Sequence, residues 1–140
     1  MKTYEQFAKT LNALLADDQA VRIRSEGFMP LSVEDIGQSG DGRRLIAISH
    51  TAVQNGDLMR DPEMVFELHE AEGYRAAEPI SFRNDFLAIH QEAYAYDERG
   101  HRTGVYPRLK TEFRSFARTW FRNLKHQGFL SPDASREVLS

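Results

Sequence analysis

Met64-Val65-Phe66-Glu67-Leu68-His69-Glu70 sets Met64, Phe66 and Leu68 on one side of an extended chain and Val65, Glu67 and His69 on the other. Successive side chains of a strand point to opposite faces, so this stretch reads as a half-buried strand whose Glu67/His69 face is the wetter one. The two-residue period continues outward in both directions. It recurs over residues 45–53 before this stretch and over 75–82 and 86–96 after it. In 86–96, Leu87, Ile89, Ala93 and Ala95 share one face, while His90, Glu92, Tyr94 and Tyr96 share the other. Residues 21–24 alternate cleanly but briefly, 28–33 are irregular around Pro30, and 37–42 form a glycine-rich surface turn. Residues 97–100 read as a hairpin turn into a short strand at 101–106. With no long crossover between strands, the set is mainly antiparallel.

The period becomes helical at both ends. Tyr4, Phe7, Ala8, Leu11, Leu14 and Leu15 fall on one side of a helix, with Thr3 and Gln6 spaced as a capping box and Asp17-Asp18 as the stop. Pro107 suits a first helical position, and Gly128 a C-terminal cap. Between them, Leu109, Phe113, Phe116, Ala117, Trp120 and Leu124 form an apolar stripe. Lys110, Arg114, Arg118, Arg122 and Lys125 form the face beside it, at intervals of four, four, four and three. The expected fold is α+β: four to six mainly antiparallel strands with an N-terminal and a C-terminal amphipathic helix on one face. Residues 1–130 make one domain, and 131–140 a flexible tail.

The chain of 140 residues carries a formal charge of -3, which conceals an uneven distribution. Residues 1–106 hold 11 basic and 18 acidic side chains, whereas residues 107–128 hold six basic and one acidic. A basic helix on an acidic body suits either a nucleic-acid or acidic-partner surface, or a helix that pairs with its own domain. There is no cysteine, which excludes disulfides, thiolate zinc sites, iron–sulfur ligation and a Cys nucleophile. No run approaches the roughly 18 apolar residues of a spanning helix, and residues 1–5 lack the apolar stretch of a signal peptide. A cytoplasmic protein without membrane association is expected.

Catalytic chemistry has few candidates. None of the five histidines forms a close zinc-ligand pair of the H-E-x-x-H kind. His90 and Glu92 share a strand face, and His50 and His69 on neighbouring strands could approach them, which makes these four the candidate acid–base set. Ser49 and His50 are adjacent and therefore point to opposite faces, so they do not form a direct couple. The segment from His50 to Leu68 is dense in polar and turn-forming residues. Asn55-Gly56-Asp57 permits a tight turn with positive φ, and Asn55, Asp57, Arg60 and Asp61 are its candidate binding residues. Their order departs from the calcium-loop pattern, and neither glycine-rich phosphate motif is present, so no metal and no cofactor is expected.

The stretch Asn55-Gly56-Asp57-Leu58-Met59-Arg60-Asp61-Pro62-Glu63-Met64-Val65-Phe66-Glu67, followed by Pro79-Ile80-Ser81-Phe82-Arg83-Asn84-Asp85-Phe86 and Gln91-Glu92-Ala93-Tyr94, resembles a family of domains of unknown function. Its members occur on bacterial plasmids, conjugative elements and phages, sometimes beside DNA-modification and antirestriction proteins. The resemblance spans about residues 43–127. It implies a bacterial, intracellular, mobile-element setting and transfers no catalytic residue. The expected function is a non-enzymatic binding or accessory module for nucleic acid or a nucleic-acid-processing protein, acting through Lys110, Arg114, Arg118, Arg122 and Lys125. Two alternatives stand beside it: an acid–base enzyme using the histidine-bearing sheet face, and a protein-binding, homodimeric module presenting Tyr94 and Tyr96.

Overall fold

A computed structural model describes residues 2–71 and 73–139. The order is α1 (Lys2–Leu15), β1 (Ala20–Arg24), β2 (Leu31–Gln38), β3 (Arg44–Gln54), β4 (Asp57–Ala71), β5 (Tyr74–Asn84), β6 (Ile89–Glu92), β7 (Tyr94–Tyr96), β8 (Arg102–Val105), α2 (Pro107–His126) and β9 (Ser135–Val138). Seven strands form one antiparallel sheet in the order β6-β5-β4-β3-β2-β1-β9, and β7 and β8 form a separate ribbon. The α+β class and the two terminal helices therefore hold, and the sheet is larger than four to six strands. The sheet exceeds that number through β2, which forms over Leu31–Gln38 where an irregular segment around Pro30 is expected, and through β9. Residues 86–96 are not one strand: 85–88 turn, with Ala88 at φ 55, and the chain bends at buried Ala93 to leave β6 and β7. The stretch expected as a frayed tail instead returns to pair with β1, where Val21 faces Val138 and Arg24 faces Ser135.

The alternation of β4 settles which face meets the helices. Met64, Phe66 and Leu68 are buried with Phe7, Leu11 and Leu14 of α1 and with Phe113, Trp120 and Leu124 of α2. The ring of Phe66 lies 5.8 Å from Phe7 and 5.3 Å from Phe121, so both helices pack on one face of the central strands. Phe116 sits at the margin of this layer: it is 40% exposed, with one edge against Phe82 at 5.0 Å. Thr3 lies inside α1 rather than at its cap, and its hydroxyl accepts from Arg118 Nη2 at 3.0 Å. Helical turns that meet a buried aromatic layer are held by packing more than by caps, which explains why α1 forms without the expected box.

The second face departs most from expectation. Glu67 is only 1% exposed, and Glu78, its partner across β4 and β5, is also buried. The β7–β8 ribbon brings Tyr94 and Arg102 onto these carboxylates, and this half of the face is consequently dry.

Replacing Phe66 with Ala removes the ring that both helices share and leaves a cavity under two elements. We expect a loss of about 3–5 kcal/mol in urea unfolding, with the slope unchanged. A loss below about 1 kcal/mol would show that the helices do not depend on this packing.

Candidate functional site

The two helices leave a groove between them. Its α2 wall carries Arg118, Arg122 and Lys125, its α1 wall carries Thr3, Gln6 and Thr10, and Phe7 and Phe121 form the floor. No acidic side chain lines it among the described residues. The spacing of the basic residues produces this wall, because positions four and three residues apart lie one above another on a helix. The aromatic stripe turned toward Phe66 fixes how α2 is rotated about its axis. The bases at the edge of that stripe are therefore aimed along the seam with α1.

Two of the α2 bases are neutralised. Lys110 Nζ lies 3.5 Å from Glu78 Oε2, and Arg108 pairs with Glu112 on the same helix at 3.1 Å. Among the described residues, Arg114, Arg118, Arg122 and Lys125 have no carboxylate oxygen within 4.0 Å. Several acids of the sheet pair with its own bases instead: Asp35 with Arg44 at 2.6 Å, Glu63 with Arg60 at 3.1 Å, Glu70 with Arg75 at 3.0 Å and Glu137 with Arg24 at 3.4 Å. A helix that docks on its own acidic domain thus describes Lys110 but not the four bases beyond it.

The four acid–base candidates do not form one site. His50 faces the helices, its ring 5.6 Å from Trp120 and 5.5 Å from Phe129, and its Nδ1 lies 3.1 Å from the Met29 carbonyl. Burial holds this imidazole below its ordinary pKa, as befits a half-buried histidine packed against aromatic rings. His69 lies beneath the ribbon, its Nε2 3.1 Å from Glu67 and 3.5 Å from Glu78. His90 and Glu92 stand exposed on β6, lining a shallow cleft with Tyr96 and Tyr106. Tyr94 separates the last two groups. It is buried and donates to Glu78, and both burial and that carboxylate raise its pKa. A protein-binding surface made of Tyr94 and Tyr96 consequently retains only Tyr96.

Glu67, His69 and Glu78 offer three metal-type ligand atoms within 4.8 Å of one another. Their carboxylates already meet Arg102 at 2.9 Å, Arg43 at 3.4 Å and Lys110 at 3.5 Å, and the Arg102 guanidinium stacks 3.6 Å over Tyr94. Two negative charges facing three cations make a neutralised brace that repels a further cation.

The polar stretch after His50 also has a structural role. Asn55 and Gly56 take φ 53 and 84 in a two-residue turn, and β4 begins at once with Asp57. The Arg60 amide donates to Asp85 Oδ2 at 2.8 Å, and the Asp85 amide returns a bond to the Arg60 carbonyl at 2.8 Å. Asn84 Nδ2 donates to Asp61 Oδ1 at 2.6 Å, and Arg83 pairs with Asp85 at 2.6 Å. Asn55, Asp57, Arg60 and Asp61 thus belong to a hairpin whose far end is clamped to the β5–β6 turn.

The sequence pattern indicated the basic wall but missed Thr3, Gln6 and Thr10 opposite it. Thr3 and Gln6 carry the spacing of a cap, and only the meeting of two helices distant in sequence reveals them as a wall.

The family model Domain of unknown function (DUF6908) matches residues 2–130. No curated protein and no solved structure matches the chain.

Burial alone would push the Asp85 carboxyl up, but the Arg60 amide and the Arg83 guanidinium together hold it below the ordinary carboxylate range. A depressed acid contributes stability above its unfolded pKa and loses it as pH falls through the folded one. Asp85→Ala should therefore cost about 2 kcal/mol at neutral pH, with the difference from the parent shrinking below about pH 4. Urea melts at several pH values check this, and a difference that does not change with pH would remove the carboxylate from the clamp.

Proposed function

We propose that this chain, which belongs to the DUF6908 family of domains of unknown function, is a non-enzymatic module that binds nucleic acid through the groove between α1 and α2. The observation that carries this reading is the cation line of Arg114, Arg118, Arg122 and Lys125, free of carboxylate partners among the described residues, with three of its members lining an acid-free groove. Unneutralised bases at one-turn intervals attract a phosphate backbone, and each phosphate contact releases a counterion. An acidic body behind the groove directs such a ligand to one side of the molecule. The module acts in the bacterial cytoplasm, in the mobile-element setting implied by the sequence resemblance, alone or beside a nucleic-acid-processing protein. Acid–base chemistry has less support, because His50 is half-buried against Trp120 and Phe129, away from the other candidates, and the Glu67/His69/Glu78 cluster is already neutralised.

Fluorescence anisotropy with short DNA and RNA oligonucleotides tests the reading. The parent chain should bind at low salt and weaken steeply between about 50 and 200 mM, and Arg118→Glu/Arg122→Glu should abolish binding while leaving the thermal melt unchanged. No binding at about 50 mM salt would overturn it.

A further inference from the structure

We infer that the groove takes a single strand of nucleic acid, with its phosphates on the α2 wall and its bases on the α1 wall. This rests on the nucleic-acid function proposed above and adds the form of the ligand. The two walls differ in chemistry. Arg118, Arg122 and Lys125 line α2, and Arg114 stands one turn before them, so the cations make one line about 16 Å long by helix rise. The α1 wall repeats at a similar interval with Thr3, Gln6 and Thr10, and it contributes no cation to the groove.

One line of cations matches one line of phosphates. A duplex carries two such lines, one on either side of each groove, and a protein straddling them is served by positive charge on both flanks. The neutral wall would then face a second phosphate line with nothing to offset its charge. Against a single strand the same wall has a use. Hydroxyl and carboxamide groups both donate and accept, which suits unpaired base edges whose own donors and acceptors are free. Gln6 lines the groove and is exposed, so its carboxamide is free to meet a ligand, while Thr3 already holds Arg118 in place through the 3.0 Å bond. The floor fits this arrangement as well. Phe7 and Phe121 are too deeply buried to act as stacking platforms, so they offer only a shallow apolar bed between the walls.

The experiment compares the full chain on one labelled oligonucleotide of about 12 nucleotides, as DNA and as RNA, alone and annealed to its complement, across about 50–200 mM salt. The single strand should bind at least about tenfold tighter than the duplex. Gln6→Ala/Thr10→Val should weaken single-strand binding roughly three- to tenfold and leave the salt slope unchanged, because a neutral wall releases no counterion. Arg122→Gln, which removes one cation without reversing its charge, should reduce the slope by about 0.7, the share of one phosphate no longer neutralised. Circular dichroism on each variant separates unfolding from weakened binding by a folded chain. Duplex binding equal to or tighter than single-strand binding, still abolished by the charge reversal, would overturn this inference and leave the proposed function standing. Unchanged affinity in the Gln6/Thr10 variant would overturn the placement of the bases. Absence of binding by every form at about 50 mM salt would remove the proposed function and this inference together.

Discussion

The packing of Phe7, Phe66 and Phe121 holds together parts of the chain that are far apart in sequence. The rings of Phe7 and Phe121 lie 5.3 Å apart and each reaches Phe66, with Phe7 edge-on to both at 75°. Edge-to-face geometry adds to area burial, and three large rings meeting at one point withdraw a large apolar surface from water. The groove follows from that meeting. Its floor is the outer side of Phe7 and Phe121, and its walls are the neighbouring residues of the two helices. Any change that separates the rings therefore separates the walls, and the site shares its stability with the core.

The second face solves a different problem. A seven-stranded sheet with helices on one side only would leave Glu67 and Glu78 wet, yet both are buried by the β7–β8 ribbon. Burying two facing carboxylates is tolerable only when cations and donors come with them. The ribbon brings Arg102 and Tyr94, the β2–β3 side brings Arg43, and α2 brings Lys110. Through Lys110 this brace reaches the first turn of α2, the helix whose later turns form the groove wall. The start of that helix is thus fixed by charge and its middle by aromatic packing.

Much of this was legible in periodicity. The alternation of 64–70 identified the face on which Phe66 is buried, and the aromatic stripe of α2 identified what covers it. What escaped the sequence was non-local. Nothing in Glu67 or His69 signals that a ribbon some 30 residues later in the chain will cover them, so an alternating polar face reads as a wet one. Ser135–Val138 is exposed throughout and lacks a hydrophobic pattern, so its pairing with β1 left no signal in its own residues. The bend at Ala93 is similar. Its amide donates to the Ile80 carbonyl and its carbonyl accepts from Tyr106, partners that no local pattern names. On the site side, one wall of the groove was visible as a charge pattern. The other wall, made of neutral residues, carried no such mark.

The sheet also explains why the basic helix keeps its charge. An acidic body of 18 carboxylates to 11 bases could have neutralised α2 completely, and a charge count alone would favour that outcome. Antiparallel register works against it. Cross-strand and near-neighbour positions pair Asp35 with Arg44, Glu63 with Arg60, Glu70 with Arg75 and Glu137 with Arg22 and Arg24, so these acids meet a base of the sheet rather than of α2. Among the described residues of the body, Glu78 is the acid that reaches the helix, and it reaches the first turn. Neutralisation by the body therefore stops at Lys110, and the field of Arg114, Arg118, Arg122 and Lys125 is left to whatever anion approaches from outside.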